Sequence, residues 1–327
     1  MSTQTQTPAE IADRPRISKH SWEYVVRSGI AGGLAGSAAK TAIAPLDRVK
    51  ILFQTSNEDF LQYRGSLKGT ARAISRIYRD SGVYGLFQGH SVTIVRIMPY
   101  AAIKFVAYEQ VRNFFIPSKE YETHIRRAIS GSLSGIVSVM FTYPLEVIRV
   151  RMAYESKIHH HHETPVTHFS EHGVLATTRR IYANGGLHNF YRGFSATVIG
   201  IIPYAGVSFW THDFAHDLLR LPAIEKYTTI ESESLDRPPL KVWAELTAGG
   251  LSGMVAQTAS YPLEVIRRRM QVHDGSRQSI IGLGKEIVRV DGFKGLYVGL
   301  SIGFIKVVPM AAISFLVYER VKFALGI

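Results

Sequence analysis

Apolar residues fill long helix-like stretches of this chain, yet glycine, proline or an isolated charge interrupts every one, and no 20-residue window escapes all three. The pattern predicts an all-α protein with six long helices, near 23–53, 89–115, 124–153, 193–219, 241–271 and 299–324. Three short amphipathic helices fall between them, near 67–79, 172–183 and 279–289. Each is followed by a glycine pair: Gly82 and Gly85, Gly185 and Gly186, Gly292 and Gly295. The long helices are each long enough to cross a bilayer with some tilt. Apolar runs studded with charge fit spanning helices that show one face to lipid and the other to a water-filled cavity.

The interruptions recur in register. The motifs PLDRVKIL at Pro45, PLEVIRVR at Pro144 and PLEVIRRR at Pro262 each lie 13 residues after a glycine (Gly32, Gly131, Gly249) and 9 after another (Gly36, Gly135, Gly253). Downstream, Gly89, Gly193 and Gly299 each precede a second proline by 10 residues (Pro99, Pro203, Pro309) and an acid by 20 (Glu109, Asp213, Glu319). The chain is a threefold internal repeat of about 100 residues per copy. The copies occupy 22–120, 121–221 and 241–327. A polar tail, 1–21, expected to be disordered, precedes them, and a polar insert with Pro222, Pro238 and Pro239 fills 222–240. The GxxxG glycines of the first helices are expected to let helix backbones approach closely, as packing in lipid requires.

Composition narrows the class. Of 327 residues, 46% are hydrophobic and 28 are glycine, a profile that favours a membrane bundle over a soluble α-solenoid. The formal net charge of +12 raises a soluble, basic RNA-binding protein as an alternative. Its bases recur at matching points of the three copies instead of forming one patch, so no nucleic-acid partner is expected. Without cysteine there are no disulfides and no thiol chemistry. Residues 1–20 form neither a secretory signal nor a clear transit peptide. No phosphate-binding loop, nucleophile triad or HExxH is present, so the chain carries no argument for an enzyme or a cofactor. The run His159–His162 lacks a carboxylate or cysteine framework and is expected to be a solvated loop, not a metal site.

Charge inside the helices is the candidate chemistry. Asp47, Glu146 and Glu264, with Lys50, Arg149 and Arg267, place opposite charges near one end of the first helices, just past prolines that bend them inward. Glu109, Asp213 and Glu319, with Arg112, His216 and Lys322, do so at the other end. In buried pairs desolvation nearly cancels attraction, so such rings make marginal closures that a ligand can tip. An asymmetric ligand belongs where the copies disagree. Seven residues after the glycine that opens each second helix stand Arg96, Gly200 and Lys306. The two cations suit phosphates, and Gly200, followed by Ile201, leaves room for a flat ring. Lys40, one helix face from Asp47, has Val139 and Gln257 as counterparts; Lys104 is a further, weaker candidate.

These motifs resemble the mitochondrial carrier family over residues 22–327, with a departure from its basic-residue–glycine turn at Gln88–Gly89 and Val298–Gly299. The segments KTAIAPLDRVKILFQTS, IPYAGVSF and YPLEVIRRRMQV are similar to its coenzyme A, or Graves-disease-type, branch. Gln271 and Val272 break the methionine run of the ADP/ATP exchanger. The resemblance implies that Asp47, Glu146 and Glu264 each bond the base of a neighbouring copy in a matrix gate, with Gln54 and Gln271 as braces and Ala153 unable to brace. It implies a cytosolic gate of Glu109, Arg112, Asp213, His216, Glu319 and Lys322, and substrate contacts at Arg96, Gly200–Ile201 and Lys306. It further implies a multi-pass monomer of the mitochondrial inner membrane, both termini on the intermembrane-space side, with membrane lipid, cardiolipin included, at the matrix side. The expected cargo is coenzyme A, or, as the alternative, ADP, AMP or adenosine 3′,5′-bisphosphate in exchange.

Overall fold

Long helix, short helix, long helix follow one another three times in the computed structural model, which describes residues 22–118, 122–155, 173–230, 239–273 and 278–326. The first copy has α1 (Trp22–Gln54), α2 (Leu67–Leu86) and α3 (His90–Phe115); the second has α4 (His124–Tyr154), α5 (Val174–Ala183) and α6 (Phe194–Leu219). A single turn, α7 (Glu225–Thr228), opens the insert, whose two sides meet in a bridge between Thr229 and Leu240. The third copy has α8 (Val242–Val272), α9 (Ile280–Asp291), α10 (Leu300–Ile305) and α11 (Val307–Ala324). The protein is an all-α membrane protein with six spanning helices, the last of them built from α10 and α11. The stretches His90–Phe115, Arg126–Tyr154, Gly186–Leu219 and Phe293–Ala324 are long and apolar enough to cross a membrane on composition alone. The run His159–His162, residues 231–238 of the insert and the N-terminal tail lie outside the described residues.

Local chemistry accounts for the breaks. Pro45, Pro144 and Pro262 stand inside α1, α4 and α8, each removing one ladder donor. Pro309 cannot donate to the carbonyl of Ile305, and the last spanning helix is interrupted there, at Lys306. Ser66 and Ser279 cap α2 and α9 by accepting from the amides of Gly69 and Gly282. Gly89, Gly193 and Gly299 start the second helices at φ 82°, 80° and 85°. A side chain at Gly89 or Gly193 would also press on the carbonyl of Arg149 or Arg267, at 2.8 and 3.0 Å from Cβ.

Each second helix packs along the first helix of the next copy: α3 on α4, α6 on α8, and α11 on α1, which closes the ring. The seams are lined by small residues four apart: Ala31, Ala35 and Ala39; Ser130, Ser134 and Ser138; Ala244, Ala248, Ser252 and Ala256, all buried. This corrects the expectation for the GxxxG glycines. Gly32, Gly36, Gly131, Gly135, Gly249 and Gly253 face open space, because they lie one helix position off the seam. The apolar clusters gather past the prolines, where each first helix meets its copy's short helix: Phe53 and Phe60 with Ile77, Val147 and Ile148 with Ile181, Val265 and Ile266 with Ile287. Phe105, Phe141, Trp210, Leu246 and Phe315 point outward, as lipid-facing residues do.

Candidate functional site

Bent by their prolines, α1, α4 and α8 touch one another, and the charges that follow each proline meet there. The pairs run between copies. Lys50 donates to Glu264 at 2.9 Å, Arg149 to Asp47 at 3.2 Å, and Arg267 to Glu146. All three acids are largely shielded from water, with side chains 25%, 10% and 3% exposed for Glu264, Asp47 and Glu146. This is the closed end of the bundle.

Two corners of this ring are braced and one is not. Gln54 donates to Glu264 at 3.2 Å and to the Tyr261 hydroxyl at 3.0 Å. Gln271 donates to the Tyr143 hydroxyl at 3.0 Å and accepts from Arg268. Tyr143 and Tyr261 in turn donate to the carbonyls of Arg192 and Val298, and their rings lie 5.5 and 5.1 Å from the cations of Arg267 and Lys50. At the Asp47–Arg149 corner the glutamine position is Ala153 and the tyrosine position is Ala44. Brace and anchor are missing together. Lys306 takes up that corner, donating to Asp47 at 2.7 Å.

The cations singled out by asymmetry sit on the same acids. Arg96 reaches Glu146 at 3.3 Å and Thr142 at 3.4 Å. Lys40 has Asp47, Lys306, Arg149 and Arg96 as its electrostatic neighbours and makes no ion pair among the described residues. Lys104 does not join the acids; it stands 5.9 Å from the centre of the Tyr100 ring, which Arg96 approaches at 5.5 Å. Arg268 is a cation that sequence reasoning missed, and it donates to Glu146 at 3.0 Å. Its counterparts, Ile51 and Val150, are buried in a small apolar cluster, so the same search for disagreement between copies, extended past the motif base, points to it.

Arg267 and Arg268 line a cavity of about 250 Å³ together with Gly200, Ile201, Tyr204 and Leu263. A Cβ at Gly200 would stand 3.6 Å from Leu263 Cβ, in ordinary contact, so the glycine leaves space between α6 and α8 at the cavity wall.

At the opposite end, among the described residues, Glu109, Arg112, Asp213, His216, Glu319 and Lys322 make no ion pair with one another. Arg112 lies 3.4 Å from Glu122 in the loop after α3, and His216 lies 3.2 Å from Glu245 on α8. The hydrogen bond from Arg127 holds the Glu122 carboxyl below its ordinary range.

A bundle closed by ion pairs at one end, unbridged at the other and lined by excess cations near its middle defines a membrane carrier. The sequence profile described as "Mitochondrial carrier protein" matches residues 21–119, 121–222 and 238–326, one match per copy, and the chain belongs to the mitochondrial carrier family. It is 50% identical to "Mitochondrial carrier protein LEU5" of Saccharomyces cerevisiae, over 95% of this chain and 93% of that one. It is 36% identical to "Solute carrier family 25 member 16" of Homo sapiens, over 91% and 88% of the two chains. Identity to "Mitochondrial coenzyme A transporter SLC25A42" of Xenopus laevis is 37%, over 92% and 86%.

Proposed function

We propose that the protein carries coenzyme A, or a closely related adenine nucleotide polyanion, across the mitochondrial inner membrane by alternating access. In this reading the closed end faces the matrix and the unbridged end faces the cytosolic side, the side from which the cargo enters here. The observation that carries it is a ring-sized cavity at Gly200 lined also by Arg267 and Arg268, two cations that share the single acid Glu146 with Arg96. The adenine ring lies against Gly200, Ile201 and Tyr204, and the phosphates meet Arg96, Lys306, Arg268 and Lys40. The similarity to a protein named as a coenzyme A transporter supports the choice of cargo.

Binding and opening are then one event. Arg96 and Lys306 are already spent on Glu146 and Asp47. A polyanion that draws them away removes one partner from each acid of the closed end, and it does so first at Asp47, the corner without a brace. A ligand shifts an equilibrium only by its differential affinity for the two states, and competition for shared cations supplies that difference. The second reading, an exchanger of ADP, AMP or adenosine 3′,5′-bisphosphate, rests on the same cavity, which contacts only a ring.

Thermal unfolding of the purified carrier in detergent tests the site. Coenzyme A is expected to raise Tm, and phosphopantetheine, which lacks the adenosine, to raise it much less. A shift with neither coenzyme A nor any adenine nucleotide would contradict the reading. A shift with ADP and none with coenzyme A would select the second one.

A further inference from the structure

The second copy breaks its own repeat at one turn of α6, and it does so with two histidines. Where the other copies have Tyr108 and Tyr318, it has His212; where they have Arg112 and Lys322, it has His216. Four residues apart, the two lie on one face of the helix, with ring centres 4.1 Å apart. That face meets the first turn of α8 at Glu245, whose counterparts in the other copies are Ser28 and Arg127. All three departures from threefold symmetry therefore coincide in space. One ligand atom from each of the three residues fits within a mutual distance of 4.8 Å.

The pairing of His216 with Glu245 leaves something unexplained. Nε2 of His216 lies 3.2 Å from the carboxylate, yet it is shielded from water and has no hydrogen-bond partner. A buried ring nitrogen beside a carboxylate that it does not bond is unsatisfied as a proton donor. As a lone-pair donor it is well placed, because a metal ion between the nitrogen and the oxygen would satisfy both. The surroundings suit an ion entering from the aqueous end: Glu245 is half exposed, and the stacked Trp210 and Phe214 on the outer face leave the histidine face free of apolar bulk.

We propose that His212, His216 and Glu245 form a binding site for a borderline-soft divalent cation, Zn²⁺ being the best match to two imidazoles and one carboxylate. Three protein ligands leave a fourth, tetrahedral position for water. The site clamps α6 of the second copy to α8 of the third at the unbridged end, and it withholds His216 from the other charges there. The remaining junctions, with Tyr108, Arg112 and Arg127 or with Tyr318, Lys322 and Ser28, offer no such donor set.

The test uses the full carrier in detergent with His159–His162 replaced by serine, so that the loop run contributes no binding. Equilibrium binding of Zn²⁺ and the Tm shift it causes are compared with those after His212→Tyr, which restores the residue of the other copies, and Glu245→Ser, which restores that of the first. Each substitution is expected to weaken Zn²⁺ binding at least tenfold and to abolish the Tm shift, with Tm in EDTA unchanged. Co²⁺ bound to the unsubstituted site is expected to give the intense visible bands of a tetrahedral centre. Equal Zn²⁺ affinity in His212→Tyr, or no tetrahedral Co²⁺ spectrum, would overturn the proposal. Neither readout depends on the transported substrate, so failure here leaves the proposed cargo standing.

Discussion

Arg96 and Lys306 each hold an acid of the closed end and are also the cations proposed to meet the phosphates, which makes them the most informative residues to change. Losing a charge-assisted hydrogen bond to substrate costs about 1.5–3 kcal/mol, on the order of 10- to 100-fold in rate or affinity. Arg96→Ala and Lys306→Ala are therefore expected to reduce uptake by about that factor. Lys40→Ala, which removes charge but no ion pair, should reduce it less. Wild-type uptake by both Arg96→Ala and Lys306→Ala would remove them from the phosphate site. Gly200 gives a graded test. Gly200→Ala adds a Cβ at ordinary contact distance from Leu263 and should leave transport largely intact, while Gly200→Leu fills the cavity and should abolish it. Equal uptake by the leucine variant, at matched protein levels, would place the ring elsewhere. The sequence gives Arg96, Gly200 and Lys306 through their disagreement at one repeat position. Tyr204 is less marked, since Tyr100 shares its repeat position and only Met310 departs from it, and the pairing of Arg96 with Glu146 joins residues that only the packing of α3 on α4 brings together.

Among elements, the three first helices carry the closure, and their corners are unequal. Gln54 with Tyr261 and Gln271 with Tyr143 each add a buried hydrogen bond worth about 1 kcal/mol, and leaving one partner unmet costs about 1–3 kcal/mol. Gln54→Ala and Tyr261→Phe are each expected to lower Tm by a few degrees, and the double variant to lower it by less than the sum, because they report one interaction. Strict additivity would show that the two do not act together. Charge reversal is a harsher probe. Lys50→Glu strands Glu264 beside a like charge, a loss on the order of 3–5 kcal/mol for a broken buried pair. Adding Glu264→Lys should restore much of it, and no recovery would mean that the pair is not what holds this corner. The helices themselves are legible in sequence to within a few residues, since three copies mark each boundary. The break in the first short helix is legible too, since Gly82, with a non-helical φ of 65° and ψ of −163°, interrupts it at the first glycine of the pair. One feature is not. The seam lies on alanine and serine instead of the conspicuous glycines, a choice of helix face that depends on how neighbouring copies dock.

For the whole molecule, the repeat sets a ring that closes when α11 reaches α1, with charged residues recurring at both ends, and the proposed site falls where the copies differ. Threefold copies alone would make identical corners and no room for an asymmetric cargo. Arg268, Gly200, the bare Asp47–Arg149 corner and the His212–His216 turn are all departures from the repeat, and each has a distinct surrounding. Uptake by proteoliposomes decides the central claim. Vesicles loaded with unlabelled coenzyme A are presented with labelled coenzyme A, ADP, AMP or adenosine 3′,5′-bisphosphate, with the Arg96→Ala protein as control. Saturable entry of labelled coenzyme A, lost in the control, is the predicted result; entry of none of the four above protein-free vesicles would contradict the account.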